Sequence, residues 1–488
     1  GLGASGSATL EPAMRALKAR IEGDPEEAVA GLVRHLAEQP DDLDAGRRLA
    51  MLQGESGNLE PAIDRLQALV RRDPDDGRLW FLLGKYSILH GNLRPAVEEY
   101  LVRAMVLFKR SRNAWGEAET VNALGVGYAR LGQTADAEEQ YRKAVRLRRE
   151  LGNRRGVATT LRNLAQLATI RGQFDQARRE LTEARDLFTE LGDRSGSAAV
   201  DNEIGLLAEE EGNYADALAA FKRALQVREH EGDRQGIAES QNNIGFAQYM
   251  LGDYDSALVF WKQSLATSQE LDDPVGSVRA RQNLGLLHMA RGRWQEARAV
   301  LEQSLATAQQ QQMIEEAAVS GRNLAELDIL EGRLAAAEER IQGTRSLFAE
   351  REDQRGVVDV DLLESRLQLA ARDREGAIRT LDALDKSASE STGEQRVGSL
   401  LLRAEAGQGN ARMLADARRL AEKSGIRALL LQVRIAQGEA SAEEVRDLGN
   451  LPLRLKWLRG EIAKLVKADP SGAAARYREA RGALRDQP

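Results

Sequence analysis

The sequence predicts an all-α protein, a solenoid of helix hairpins stacked side by side, on three observations. The stretch Gly232–Leu265 (GDRQGIAESQNNIGFAQYMLGDYDSALVFWKQSL) returns when the chain is shifted by 40 residues in either direction, and self-similarity at such a period is the signature of a solenoid. Within it, apolar residues follow the helical period on either side of a turn at Gly252. Aromatics are only 4% of the chain, as expected of a core built from alanine and leucine. One hairpin cannot bury its apolar faces alone, so hairpins stack and share a core with their neighbours.

Each position of the repeat has a physical task. A small residue in the first helix recurs at Gly125, Ala165, Gly205, Gly245, Gly285, Ala325 and Ser365 and lets the second helix come close. Turn glycines recur at Gly132, Gly172, Gly212, Gly252, Gly292 and Gly332, and the second helix carries Ala137, Ala177, Ala217, Ala257, Ala297, Ala337 and Ala377. A bulky residue follows at Tyr141, Leu181, Phe221, Trp261, Leu301, Ile341 and Leu381, expected to fill the gap between neighbouring hairpins. Asn153, Asp193, Asp233, Asp273 and Asp353 precede the first helices and fit N-caps. Gly152, Gly192 and Gly232 fit helix stops, where the backbone turns left-handed.

In chain order, Gly1 to Thr9 reads as a linker or tag remnant, so a fragment of a longer protein is expected. Residues 10–108 follow a shorter period, with Ala28, Ala62 and Ala96 spaced 34 apart. The interval from Ala96 to Ala137 is 41, and from there to Ala377 it is 40. The six extra residues are expected to lengthen the second helix and its following loop. Residues 109–385 hold the longer repeats; in one of them Met313 stands in the capping position, and in the last Arg372 replaces the turn glycine. Residues 386–395 (KSASESTGEQ) read as a polar loop, and 396–488 as divergent helical repeats and a cap. Helical pairs are expected there at 395–407 with 410–424, 426–437 with 442–448, and 452–466 with 472–485. The segment Pro452–Asp486 is basic, with nine Arg or Lys against four acidic residues.

These residues resemble the tetratricopeptide repeat (TPR), whose ordinary positions are matched by Trp80, Leu83, Gly84, Ala96 and Tyr100. The 40-residue spacing is similar to the subclass found in kinesin light chains and many bacterial signalling proteins. The resemblance implies a right-handed superhelix of about ten hairpins. It also implies that the first helices line a concave groove.

Composition and motifs narrow the function. The chain has 69 basic and 76 acidic side chains, a net charge of −7, and so lacks the basic excess of a nucleic-acid binder. It has no cysteine, and no apolar run reaches the roughly 18 residues that span a bilayer. His35, His90, His230 and His288 lie in different repeats with no i, i+4 pairing, so no metal is expected. P-loop, nucleophile-elbow and kinase motifs are missing, and the chain is read as non-enzymatic and without cofactor.

A row of polar residues on the first helices recurs at Asn122, Arg162, Asn202, Asn242, Gln282 and Arg322, flanked by Asn163, Asn243, Asn283 and Asn323. Asparagine is a poor helix former, so its repetition there asks for a reason. The TPR resemblance adds Val126, Gln166, Leu206, Phe246, Leu286 and Glu326 one turn on, then Thr169, Glu209, Tyr249 and Met289. Amides donate and accept, so such a row suits the backbone of an extended peptide. The competing use is to bridge neighbouring repeats. The expected peptide-binding set is Asn122, Arg162, Gln166, Asn202, Asn242, Phe246, Tyr249, Gln282, Met289 and Arg322.

The leading expectation is a protein-interaction scaffold that takes a protein or peptide in its groove. Tyr100–Gln133 is similar to C-terminal regions of bacterial serine/threonine kinases, which implies the regulatory region of a signalling protein. A second reading is a small-molecule sensor attached to a bacterial transcriptional regulator, with a closed pocket near Phe246, Tyr249 and Trp294. A third is a homodimer formed through an uncapped end. A cytoplasmic location is expected, or a periplasmic one if a membrane helix precedes Gly1.

Overall fold

The structure is a computed structural model that describes residues 25–351, 353–386 and 391–468. Every regular element among them is helical, and none of the helices is long and apolar enough to cross a membrane. The chain divides into two compact units, Gly1–Asp193 and Arg194–Pro488.

The first unit holds α1 (Pro25–Glu38), α2 (Leu43–Glu55), α3 (Leu59–Arg72) and α4 (Gly77–His90). Next come a short turn Leu93–Pro95, a π-turn Ala96–Tyr100 and α5 (Leu101–Arg110). Then α6 (Ala114–Arg130), α7 (Thr134–Glu150), α8 (Arg154–Ile170) and α9 (Phe174–Glu190) form two longer hairpins. The π-turn lies where the repeat interval is 41 rather than 40, and such a turn is how a helix absorbs one inserted residue.

The extra length of the longer repeats is placed differently from the expectation. α3 and α4 have 14 residues each, whereas α6, α7, α8 and α9 all have 17. Both helices grow and the loops stay tight. A turn added to only one partner would leave its apolar face uncovered, so the two lengthen together.

The second unit opens with the same hairpins, α10 (Arg194–Glu210) with α11 (Tyr214–Glu231), and α12 (Arg234–Met250) with α13 (Tyr254–Glu270). They continue as α14 (Pro274–Ala290) with α15 (Trp294–Gln310), and α16 (Ile314–Leu330) with α17 (Leu334–Glu350). α18 (Gln354–Ala370) and α19 (Arg374–Lys386) close the regular array. Beyond them lie α20 (Gly393–Arg403), α21 (Ala411–Ser424), α22 (Arg427–Gln437), α23 (Ala442–Leu448) and α24 (Leu451–Ala468). These bounds follow the predicted pairs closely, and the expected helix 472–485 lies outside the described residues, as does the linker 1–9. The polar loop ends sooner than predicted. Thr392 Oγ accepts from the Gln395 amide at 3.2 Å and Gln395 Oε1 accepts from the Thr392 amide at 3.0 Å, a capping box that starts α20 at Gly393.

The small residue of each first helix is where the hairpin closes. A methyl added at Gly245 would lie 2.6 Å from the Trp261 indole, and one added at Gly285 would lie 2.5 Å from Leu301. The bulky residue therefore packs into its own hairpin, and Trp261 also shares a buried cluster with Leu284 and Leu287 of the next, as predicted. Trp261 is fully buried and its Nε1 donates to the Asn242 carbonyl at 3.0 Å. Asn153, Asp233, Asp273 and Asp353 all cap as predicted, accepting from first-turn amides at 2.9–3.1 Å. Met313 makes no side-chain cap.

Trp261→Ala is expected to cost about 3–5 kcal/mol through the cavity it leaves, measured by urea unfolding. Gln312 occupies a left-handed turn at φ 56° where three other repeats carry glycine. Gln312→Gly should raise the urea midpoint, since left-handed backbone costs a side-chain-bearing residue about 1–2 kcal/mol.

Candidate functional site

The polar row on the first helices forms, but most of its groups face the next repeat. In the first unit, Asn122 Oδ1 accepts from Thr160 Oγ1 at 3.1 Å and from Arg148 at 3.4 Å. In the second unit the amides form rungs between successive hairpins. Asn243 Nδ2 donates to Asn202 Oδ1 at 3.1 Å, and Asn283 Nδ2 donates to Asn242 Oδ1 at 2.9 Å. Asn202 also donates to Glu239 at 3.3 Å and is only 5% exposed. Gln282, equally buried, donates to the Glu316 carbonyl at 2.9 Å and to Ser320 Oγ at 3.0 Å. Arg322 pairs with Asp359 at 2.5 Å and donates to Asn323 Oδ1 at 3.2 Å. A helix edge that buries an amide must satisfy it, and the neighbouring repeat supplies the partner.

The residues one and two turns further on divide by exposure. Gln166 is exposed and Arg162 partly so; Leu206 is 42% exposed. Phe246 and Tyr249 are partly buried, and Met289 is buried in the cluster of Leu301, Leu324 and Leu327. The Tyr249 ring stacks on Tyr254 with centroids 5.1 Å apart and lies 5.6 Å from Trp261. Burial holds the Tyr249 hydroxyl well above its ordinary pKa. Glu326 pairs with Arg366 at 2.5 Å, and Thr169 bonds back to its own helix at Ala165.

Glu209 is the electrostatic exception. Its Oε1 is buried without a hydrogen-bond partner. Burial, helped by the neighbouring Glu210 charge, pushes its carboxyl up to about 8. Near neutral pH it therefore keeps a proton and acts as a neutral group.

Two clamps were not visible to sequence reasoning. Arg148 is 4% exposed, with Nη1 on the Gly156 carbonyl at 2.8 Å and Nη2 on Glu119 at 2.8 Å. Arg228 repeats this in the second unit, on the Gly236 carbonyl at 2.9 Å, Ser240 at 2.8 Å and Glu239 at 2.9 Å. The signal is their separation of 80 residues, two periods, with Phe188 between. Asp328, 1% exposed, takes Arg298 at 2.6 Å, Arg340 at 2.9 Å and Arg333 at 3.1 Å. Arg298 and Arg340 sit on the second helices α15 and α17, and Arg333 in the turn between α16 and α17, where sequence spacing alone does not align them.

Three family models, each described as tetratricopeptide repeat, match residues 11–86, 116–190 with 196–270, and 278–310. The chain belongs to the tetratricopeptide repeat superfamily. No curated protein matches it. Among solved structures, the apo form of RapI is similar over 71% of this chain and 99% of its own, at 12% identity and TM-score 0.52. Yeast Tom70 matches over 97% and 99%, at 13% identity and TM-score 0.41. BtubC from P. vanneervenii matches over 49% and 92%, at 24% identity and TM-score 0.38. The RapI likeness is one of fold alone, and it agrees with the stacked hairpins of this TPR chain.

The pH response of the second unit should carry the mark of Glu209. The folded TPR unit holds a proton there that the unfolded chain releases above its ordinary carboxylate pKa. That contribution is complete at acid pH and is lost as pH rises through about 8. Glu209→Gln is expected to flatten the fall in melting temperature between about pH 5 and pH 8 relative to wild type. Asn202→Ala should lower the melting temperature, leaving Asn243 and Glu239 short of a partner at a cost of about 1–3 kcal/mol.

Proposed function

We propose that the chain is a protein-interaction scaffold whose partner lies along the solvent-facing part of the first-helix row. The observation that carries this is the exposure of Gln166 beside the partly exposed Arg162, on α8, in a TPR array. An exposed amide there both donates and accepts, which suits a peptide backbone. Within the same unit Asn122 serves this face by holding neighbouring repeats at a fixed spacing through Thr160. The second unit carries a first-helix row of its own, where Asn202, Asn242, Gln282 and Arg322 hold the repeats in register, the partly buried Phe246 and Tyr249 border the row, and Met289 lies in the core beneath it. Each direct hydrogen bond to a ligand contributes about 0.5–1.5 kcal/mol, so several rungs act together.

The proposal extends to context. The similarity of Tyr100–Gln133 to regions of bacterial serine/threonine kinases supports placing this scaffold in the regulatory part of a signalling kinase. Sequencing the gene upstream of Gly1 checks this, and a kinase domain with its Gly-rich loop and H-R-D motif is the expected result.

The scaffold reading is tested by capture. Wild type and Gln166→Glu, at equal melting temperature, are used as bait, and a captured protein is then titrated against both by calorimetry. A loss of about ten-fold in affinity, worth about 1.4 kcal/mol, is expected for the variant. Equal affinity for both baits would remove α8 from the binding face.

A further inference from the structure

The regular array of the second unit does not leave its turns bare. Three turn glycines in succession are covered by residues far along the chain. A methyl added at Gly212 would lie 2.8 Å from the Ser424 carbonyl oxygen and 2.9 Å from Ser424 Cα. One added at Gly425 would lie 2.6 Å from the Gly212 carbonyl oxygen. At Gly252 the methyl would meet Leu448 at 2.9 Å and Arg427 at 3.0 Å, and at Gly292 it would meet Leu451. Gly332, the next turn, has nothing within 4 Å.

Side chains continue the seam. Asn450 Nδ2 donates to the Tyr254 hydroxyl at 3.2 Å across 196 residues, and Tyr214 donates to Glu394 at 3.1 Å across 180. Leu431, Val445, Leu448 and Leu453 share one apolar cluster with Trp261 and Leu287, and Phe246 and Tyr249 pack against it. The covering segment is built from short pieces. α22 has 11 residues and α23 has 7, and left-handed glycines at 425, 438 and 449 separate them. Isolated helices below about 12–15 residues do not hold in water, so these pieces are helical because they lie on the repeats. The hairpins share their core with their own neighbours and do not need the segment to fold.

We infer that Ser424–Trp457 is an intrachain ligand of the second unit, and that the surface along Tyr254, Gly252 and Gly292 takes an amphipathic helix. The recognised pattern is a leucine at the turn, an asparagine that caps the next helix, and a second leucine one turn inside it. Asn450 does both tasks at once, since its Oδ1 also accepts from the Leu453 amide at 3.1 Å. A partner of this face presents such a helix and replaces the segment. That last step rests on the scaffold reading above, whereas the docking of the segment does not.

Hydrogen exchange on the full chain tests the docking with no partner present. Gly212→Ala and Gly332→Ala carry the same backbone strain, because their φ angles are 76° and 77°. Only the first sets its methyl against backbone, which no rotamer change relieves. Exchange over α22 and α23 should be about ten-fold faster in Gly212→Ala than in Gly332→Ala, with α13 and α15 unchanged. Tyr254→Phe alters no backbone and should give the same pattern at smaller amplitude. Equal exchange in the two glycine variants overturns the inference. So does loss of protection in α13 along with α23, which would make the segment part of the repeat core. A labelled synthetic peptide of residues 440–459 should then bind Gly212→Ala about ten-fold more tightly than Gly332→Ala, because its site is less often filled in cis. Equal binding overturns the ligand assignment. Failure of the scaffold reading is separate, since it shows as an unchanged affinity of the Gln166→Glu bait.

Discussion

The structure depends on the close approach of two helices at one small residue per hairpin. At Gly245 the space a methyl would need belongs to the Trp261 indole, and at Gly285 it belongs to Leu301. Interiors pack at crystal-like density, so the second helix sits at one distance from the first and no other. Helix lengths of 17 residues in both partners follow from this constraint, because each helix must cover the other along its whole apolar stripe. The π-turn at Ala96–Tyr100 keeps that match where the period changes from 34 to 40 residues.

Polar groups follow the packing. Once hairpins stack, amides near the edge of each first helix are taken out of water, and leaving one unpaired costs about 1–3 kcal/mol. Asn202, Asn242 and Gln282 meet this demand by bonding to the following repeat. Arg148 and Arg228 do the same at the end of the second helix, reaching the first-turn carbonyls of the hairpin that follows. A row of asparagines in the sequence is thus first a device for register between repeats, and only part of that face remains exposed. In the second unit much of the apolar part of that face is in contact with the chain's own C-terminal helices, which Tyr254 and Asn450 join by one buried hydrogen bond.

The repeat architecture was legible because each requirement is local and returns every 40 residues. Capping by Asn153, Asp233, Asp273 and Asp353, the left-handed glycines, and the alanines of the second helices all stand where the periodicity put them. The irregular helices between residues 393 and 468 were also found, since amphipathic spacing and glycine stops are read within a dozen residues. The side-chain roles were less legible. Asn122 and Asn242 occupy the same repeat position, yet one accepts from Thr160 and Arg148 and the other from Asn283. The difference lies in the residue one repeat away, not in either segment.

The sequence by itself determined the hairpin, its period and the order of the repeats, because helix propensity, capping and a small-on-large contact act between residues close in the chain. Only the tertiary structure decided which amides are spent between repeats, that Glu209 Oε1 is buried without a hydrogen-bond partner, and that Ser424, Leu448 and Leu451 cover the turns at Gly212, Gly252 and Gly292. Those contacts join residues up to about 200 positions apart. They bring several hairpins and a distant segment together, which no single repeat encodes.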